Sequence, residues 1–141
     1  MSKSLAVFIV ATLTATASAL GQTAVPDLRG TWKGESETII LGAGNAHHGA
    51  RADAISPRLS SAPFTLTIDK QDGRRFSGTF SSPRGSETVI AVISQSGTIY
   101  MVDDDGYNVA TMLAPNRLEI CYLLQSPTSR IASCTEFTKQ P

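Results

Sequence analysis

The chain has 141 residues, and its 12 basic and 12 acidic side chains leave no formal net charge at pH 7. This length fits one small domain. Proteins that bind nucleic acid or an anionic membrane surface usually carry a surplus of Lys and Arg, and this chain has none. We therefore expect neither kind of partner.

Residues 1–19 are predicted to be a signal peptide. Lys3 precedes the apolar stretch LAVFIVATL, and Ala17-Ser18-Ala19 matches an A-x-A cleavage site. The apolar stretch is too short to span a bilayer, and no second one follows it. We expect a mature chain without a membrane span that is secreted or periplasmic and begins with an N-terminal arm over residues 20–28.

Residues 29–141 are predicted to form one all-β domain. Segments of strand length, in which apolar and polar residues alternate, are separated by breaks that contain Gly, Pro, Asn or Asp. This pattern is typical of an antiparallel meander. Eight such strands in succession are enough to close a barrel whose interior is either filled or able to hold a ligand. The predicted fold is an eight-stranded antiparallel up-and-down β-barrel.

Residues 42–62 interrupt this pattern, because they are rich in Gly, Ala and Ser and show no periodicity. We predict a long loop, and such loops are usually either functional or disordered. Since the strands carry the apolar alternation, the loop is expected to be dispensable for folding. Connections in an up-and-down barrel alternate between its ends, so this loop should share one mouth with the turns at 82–85, 103–106 and 126–129.

Cys121 and Cys134 are predicted to form a disulfide bond. An even number of cysteines in an exported protein favours pairing. If Tyr122 lies opposite Ser133 in the last hairpin, the same register places the two cysteines opposite each other on the outer face. The bond would hold the last strand against its neighbour.

The predicted mouth contains a candidate metal site made of His47, His48, Asp103 and Asp105. Imidazole and carboxylate ligands suit zinc, copper or nickel. The simpler interpretation is that residues 103–105 form a polar hairpin tip, because Asp tolerates turn geometry. We expect no cofactor and keep the metal site as an alternative.

Aromatic residues form a candidate ligand site, which consists of Trp32, Phe76, Phe80, Tyr107 and Tyr122. Their rings could stack on a small molecule at a barrel mouth, or they could simply fill the interior. No catalytic site is predicted, because inward positions carry almost no ionisable group other than Tyr. The sequence also lacks G-x-S-x-G, H-E-x-x-H and a phosphate-binding glycine loop.

Three segments are similar to the avidin–streptavidin family of lipocalin-like barrels. GTW at residues 30–32 resembles the start of the first strand in that family. FTLTI at 64–68, DG at 72–73 and FSGTF at 76–80 resemble its second and third strands, and TEFTK at 135–139 resembles its closing strand. The resemblance implies a barrel.

The same resemblance argues against biotin as the ligand. Gly34 stands where the family has an Asn, and Phe80 stands where it has a Tyr that contacts the ureido group of biotin. Trp32 is the only Trp, so the biotin-stacking tryptophans of later strands are absent.

These observations predict an exported, non-enzymatic barrel that binds a small, mostly apolar ligand at its loop-rich end. The alternative is a protein-binding barrel, such as a periplasmic inhibitor of a secreted hydrolase, which would use its loops or its outer face. An interior cavity large enough for a ligand would favour the first function, and a packed interior with an ordered, protruding loop would favour the second. Residues 89–93 are apolar in succession, so the outer face there should be covered or carry an apolar patch.

Overall fold

A computed structural model describes residues 24–51 and 55–141 of the chain, which form nine antiparallel strands. The strands are β1 (Gly30–Gly42), β2 (Arg58–Ser60), β3 (Pro63–Asp72), β4 (Arg75–Ser82), β5 (Gly85–Ile93), β6 (Ile99–Val102), β7 (Tyr107–Ala114), β8 (Arg117–Gln125) and β9 (Ser129–Lys139). Within these residues there is no helix that could cross a membrane. The predicted signal peptide and the first residues of the arm lie outside the described residues.

Eight of these strands close into an up-and-down barrel. From β3 to β9 each strand pairs with the next one in the sequence, and β1 pairs with both β3 and β9. The seam between β1 and β9 runs from the pair Trp32 and Lys139 to the pair Gly42 and Ser129. The predicted eight-stranded antiparallel barrel is confirmed.

The ninth strand, β2, shares an edge of β1 with β3. Residues 30–35 of β1 pair with β3, whereas residues 38–40 pair with β2. Between the two, Ser36 and the buried Ala62 exchange hydrogen bonds, since the Ser36 amide donates to the Ala62 carbonyl and the Ala62 amide donates to Ser36 Oγ. The two strands therefore act as one interrupted strand, and the predicted loop over 42–62 is shorter than expected.

The arm closes the end of the barrel that is opposite to the long loop. Leu28 is fully buried, and its amide donates to Gln71 Oε1 at 2.8 Å. The Trp32 indole Nε1 donates to the Leu28 carbonyl at 2.8 Å, and Lys139 Nζ lies 5.3 Å from the indole ring centre. Because apolar side chains from all the barrel strands pack above Trp32, this half of the interior is filled.

The last hairpin has the predicted register, and the predicted disulfide is confirmed. Tyr122 pairs with Ser133 and Cys121 pairs with Cys134, whose Cα atoms are 4.1 Å apart. Leu118, Ile120, Tyr122, Ile131 and Phe137 are buried, as the alternation predicts. A disulfide bond indicates a compartment that is not reducing.

Replacing Cys121 and Cys134 together by Ala should lower the free energy of unfolding. Thirteen positions separate the two cysteines. The chain-entropy model gives about 3 kcal/mol for a loop of this size. Urea titration of the oxidised protein and of the double variant measures the difference. A variant as stable as the parent would show that the β8–β9 pairing needs no cross-link.

Candidate ligand site at the loop-rich mouth

The loop after β1 meets the turns at 82–85, 103–106 and 126–129, as the topology predicts. The contacts run from the Gly44 amide to Ser129 Oγ (2.8 Å), from Asn45 Nδ2 to Asp105 Oδ2 (3.3 Å) and from Arg84 Nη1 to the His47 carbonyl (3.0 Å). The described part of this loop therefore folds over the mouth of the barrel. We call residues 43–51 the capping loop.

The capping loop is compact and is held by β2. Gly44 and Gly49 have positive φ values of 80° and 85°, and a Cβ on Gly44 would lie 2.5 Å from the Gly49 carbonyl oxygen. The Arg51 amide donates to the Ala43 carbonyl at 2.7 Å. Arg58 on β2 donates to the Gly49 carbonyl at 2.8 Å. Glycine is required at residue 44 both for its backbone conformation and for this close approach.

His48 is buried inside the mouth. Its side chain stacks on the Tyr122 ring at a centroid distance of 5.5 Å and lies 5.4 Å from the Phe64 ring. Its Nδ1 is 3.4 Å from Thr38 Oγ1. Burial and the neighbouring His47 lower the pKa of His48 to about 4. The imidazole is therefore neutral at pH 7.

Beside it, His47 connects the capping loop to two strands. Its Nδ1 lies 2.8 Å from Ser82 Oγ at the end of β4, and its Nε2 lies 3.4 Å from Glu87 Oε1 on β5. Burial, followed by the nearby carboxylates of residues 103–105, raises the pKa of Glu87 to about 7. The Glu87 carboxyl is thus only partly ionised at neutral pH.

Tyr122 joins the capping loop to the acidic turn. Its hydroxyl donates to Asp105 Oδ1 and accepts a hydrogen bond of 3.1 Å from Asn45 Nδ2. Burial and the bond to Asp105 raise the pKa of Tyr122. A Cβ on Gly106 would lie 2.2 Å from the Tyr122 ring, so only glycine at this residue lets the ring pack against the turn.

A cavity of about 30 Å³ remains under the capping loop. Its lining combines apolar side chains with polar ones, and strand pairing places some of them side by side, as with Phe80 and Glu87. The lining residues are Asn45, His47, His48, Phe64, Phe80, Glu87, Asp103, Asn108, Ile120, Tyr122, Ser133, Thr135 and Phe137. This volume has room for only one or two water molecules.

The residues of the predicted ligand site are divided between three places. Phe80 and Tyr122 line the cavity. Trp32 and Phe76 belong to the packed core and do not line it. Tyr107 is 68% exposed and lies on the outer face, because Asn108 takes the inward position at the start of β7. Trp32 and Phe76 thus fill the interior, which is the alternative stated for these rings, whereas Tyr107 lies on the opposite face from the one predicted.

Of the four predicted metal ligands, Asp103 and Asp105 come together and the two histidines do not join them. Within the described residues, the metal-ligating groups that converge are Glu87, Asp103 and Asp105, whose ligand atoms lie within 4.8 Å of one another. His47 reaches this group through Glu87, whereas Nδ1 of His48 faces Thr38. Because three carboxylates alone are common on protein surfaces without an ion, we assign no metal here.

Glu87 was missed by the sequence analysis, although the sequence contains a signal for it. Val89 and Ile93 are buried, so the odd-numbered residues of β5 point inward. That alternation places Glu87 inside, two positions above Val89 and next to the turn at 82–85. Residues 89–93 are all apolar, so they show no alternation from which the inward position of Glu87 could be recognised.

No protein-family model matches the chain, and no curated protein matches it either. The barrel is compatible with the avidin-like and lipocalin-like architecture that the sequence segments resemble. A fold alone does not determine function, so the function must be inferred from the side chains of the site itself.

Glu87 and His48 are expected to have opposite effects on the pH dependence of stability. Glu87 has a raised pKa, so between its ordinary value of 4.5 and about 7 the folded protein holds more protons than the unfolded chain. Stability due to Glu87 therefore falls as the pH rises through this window. His48 has a lowered pKa, so between about 4 and its ordinary 6.5 stability due to His48 rises with pH.

As the pH rises from 4.5 to 6.5, the free energy of unfolding of Glu87→Gln should increase by about 1–2 kcal/mol relative to that of the parent. Over the same range, that of His48→Gln should decrease by a similar amount relative to the parent. This magnitude allows for screening, because water reaches the acidic rim. Urea titrations at several pH values measure these differences. Thr88→Gln on the outer face serves as the control and should follow the parent. Two variant profiles parallel to the parent would contradict the assigned pKa shifts.

Proposed function

We propose that this protein is a non-enzymatic binding barrel that takes a small, mostly apolar ligand at its loop-rich end. The observation that carries the proposal is the cavity under the capping loop, whose lining combines apolar rings with polar side chains. Although this cavity is small, the capping loop is folded onto the mouth and does not protrude as a docking loop would. At the other end the interior is packed around Trp32, so this mouth is the part of the interior that a ligand could reach.

Polar side chains inside the barrel support a binding role for this half. Thr38 Oγ1 contacts Ser133 Oγ at 2.7 Å and Ser36 Oγ at 3.3 Å, and all three residues are buried. Buried hydroxyls cost free energy unless they are hydrogen-bonded, and apolar side chains of the same size would stabilise the core more simply. Their presence next to the cavity fits a site that recognises polar atoms of a ligand.

The size of the cavity indicates how a ligand would enter. A drug-sized molecule needs roughly 300 Å³ or more, which is far above the space present. The barrel wall is continuous, whereas the capping loop is attached to it through side chains of Arg58, Arg84 and Asn45. The ligand would therefore enter as the capping loop moves away from the mouth.

The arrangement of Ser82, His47 and Glu87 superficially resembles a nucleophile with its base. Ser82 Oγ, however, also accepts a hydrogen bond of 3.2 Å from the Arg84 amide, which stabilises the turn between β4 and β5. Ser82 is also not among the residues that line the cavity. These contacts favour a structural role for the serine and support a non-enzymatic function.

The experiment is native mass spectrometry of protein purified from its own host. The parent should carry a small molecule, and Thr135→Phe should lose it, because Thr135 is buried in the cavity wall and a phenyl ring would fill the space. The matched control is Thr111→Phe on the exposed face of β7, which should keep the ligand. A parent protein that never carries a ligand, even at native expression, would refute the proposal.

A second function, that of a protein-binding barrel, is favoured by one observation on the outer face. Tyr100, Tyr107 and Leu123 are each at least half exposed, and so is Ile90. Strand pairing joins them into one patch across β5–β8, because Ile90 pairs with Val102, Val102 with Tyr107, and Tyr107 with Leu123. Large exposed apolar patches mark interaction sites. A periplasmic inhibitor of a secreted hydrolase would use such a face.

This second candidate is tested by cross-linking in the host followed by mass spectrometry. A protein partner should cross-link to β5–β8 of the parent and not of Tyr107→Lys, which places a charge in the patch. Thr88→Lys, exposed on β5 and outside the patch, is the control and should keep the cross-links. Cross-links that persist in Tyr107→Lys would exclude this face as the binding surface.

A further inference from the structure

We infer that the ligand site is the position now occupied by the His48 ring, and that the ligand class is a neutral, planar heteroaromatic ring that carries nitrogen. The inference rests on the proposed function, since it names the ligand class of the same cavity. In the closed protein His48 then acts as an internal substitute for the ligand.

The surroundings of His48 select a flat ring. Tyr122 stacks on it with an interplanar angle of 29°, and Phe64 lies against it at 39°. Stacked and tilted aromatic pairs at these distances are favourable beyond the area that they bury. Both rings belong to barrel strands, so they would remain in place when the capping loop carries His48 away.

The barrel also supplies the polar partner of the ring. Thr38 Oγ1 faces His48 Nδ1 and is connected to Ser133 and Ser36 behind it. A side chain that only filled space would need no hydroxyl chain at its edge. A ring nitrogen of the ligand would take over the contact with Thr38.

The charge of the ligand follows from the burial of this position. His48 is 6% exposed and is neutral at pH 7, because the buried position disfavours a charged ring. Asn108 and Glu87 line the adjoining cavity, and a carboxylate or amide oxygen there can accept hydrogen bonds. The ring would therefore be neutral and could carry an N–H group directed to this side.

His48 is held in place through the capping loop. Its amide donates to Asn45 Oδ1 at 2.9 Å, and Arg58 donates to the Gly49 carbonyl next to it. A ligand must compete with this closed arrangement. Its apparent affinity is therefore its intrinsic affinity multiplied by the fraction of molecules that are open. Weakening the Arg58 tether should increase the apparent affinity without changing any group that contacts the ring.

The test uses pyrazole, a five-membered ring that is neutral at pH 7 and carries N–H, and furan as a ring of similar shape without N–H. Binding to the parent, Arg58→Ala and His48→Ala is followed by NMR on the Tyr122 ring signals. Pyrazole should bind all three, with Arg58→Ala about tenfold tighter than the parent and His48→Ala tighter still. Furan should bind about tenfold more weakly than pyrazole to each protein.

A merely structural His48 would give a different result. Pyrazole would then bind only where the ring has been deleted, and no Tyr122 shift would occur in the parent or in Arg58→Ala up to the solubility limit of pyrazole. That outcome overturns the inference. If His48→Ala fails to fold, the parent and Arg58→Ala still decide it through the preference for pyrazole over furan.

The outcome also separates this inference from the proposed function. Protein that retains a host ligand lost on Thr135→Phe substitution, but does not bind pyrazole, would refute the ligand class and leave the binding function intact. Protein that retains no host ligand and does not bind pyrazole would refute both.

Discussion

Trp32→Ala is expected to lower the free energy of unfolding by about 3–5 kcal/mol, the range for deleting a large aromatic ring from a packed core. Trp32 is completely buried and lies at the end of the barrel that the arm closes. Its removal leaves a cavity under Leu28. The Leu28 carbonyl also loses the hydrogen bond that the indole N–H donates to it. Urea titration followed by circular dichroism measures the loss.

Trp32→Phe is the matched control, since it keeps an aromatic ring and removes the indole N–H. It should cost clearly less than the Ala variant, and the difference reports the packing contribution. The fluorescence of Trp32 in the folded parent should be that of an indole shielded from water. A fully water-like emission spectrum, or a loss below about 1 kcal/mol in Trp32→Ala, would contradict the packing seen around this residue.

The barrel could be predicted because its strands follow a two-residue alternation that survives from sequence to structure. In β9, Ile131, Ser133, Thr135 and Phe137 are all buried and the residues between them are exposed. With one register assumption the same rule placed the disulfide. The alternation rule fails at Tyr107, because it does not say which residue of a strand points inward first. In β7 the turn at 103–106 decides this, and it turns Asn108 inward and Tyr107 outward.

The capping loop could not be predicted, because its structure depends on contacts distant in sequence. His47 lies against Ser82 and Glu87, and His48 lies against Phe64 and Tyr122. Gly, Ala and Asn around the two histidines give no periodic signal that would reveal burial. Strand β2 has only three residues, which is too short for an alternation to be recognised.

Replacing residues 43–55 by a short Gly-Asn turn is expected to destabilise the protein by roughly 2–3 kcal/mol. The lost contacts cost about 4 kcal/mol, on the order of 2 kcal/mol for each buried imidazole, and the shorter loop returns part of this. For the whole predicted loop over 42–62, the sequence predicts a melting temperature that is nearly unchanged or slightly raised by such a replacement. His47 and His48 are each only 6% exposed, and they cover Phe64 and Tyr122 at the mouth. The shorter loop recovers roughly 0.6 kcal/mol of closure entropy for each halving of its length, about 1.6 kcal/mol in all, which offsets less than half of the lost contacts.

The matched control is the full-length double variant His47→Ala, His48→Ala. If the two rings carry the contribution of the capping loop, this variant should lose at least as much stability as the shortened protein, because it recovers no closure entropy. Arg51→Ala, on an exposed loop residue, should lose little. Urea titrations with comparable slopes would show that all variants unfold from the same barrel. A shortened protein as stable as the parent would mean that barrel side chains close the mouth unaided. In that case the capping loop would contribute to ligand binding alone, because its two histidines would add nothing to the folded state without a ligand.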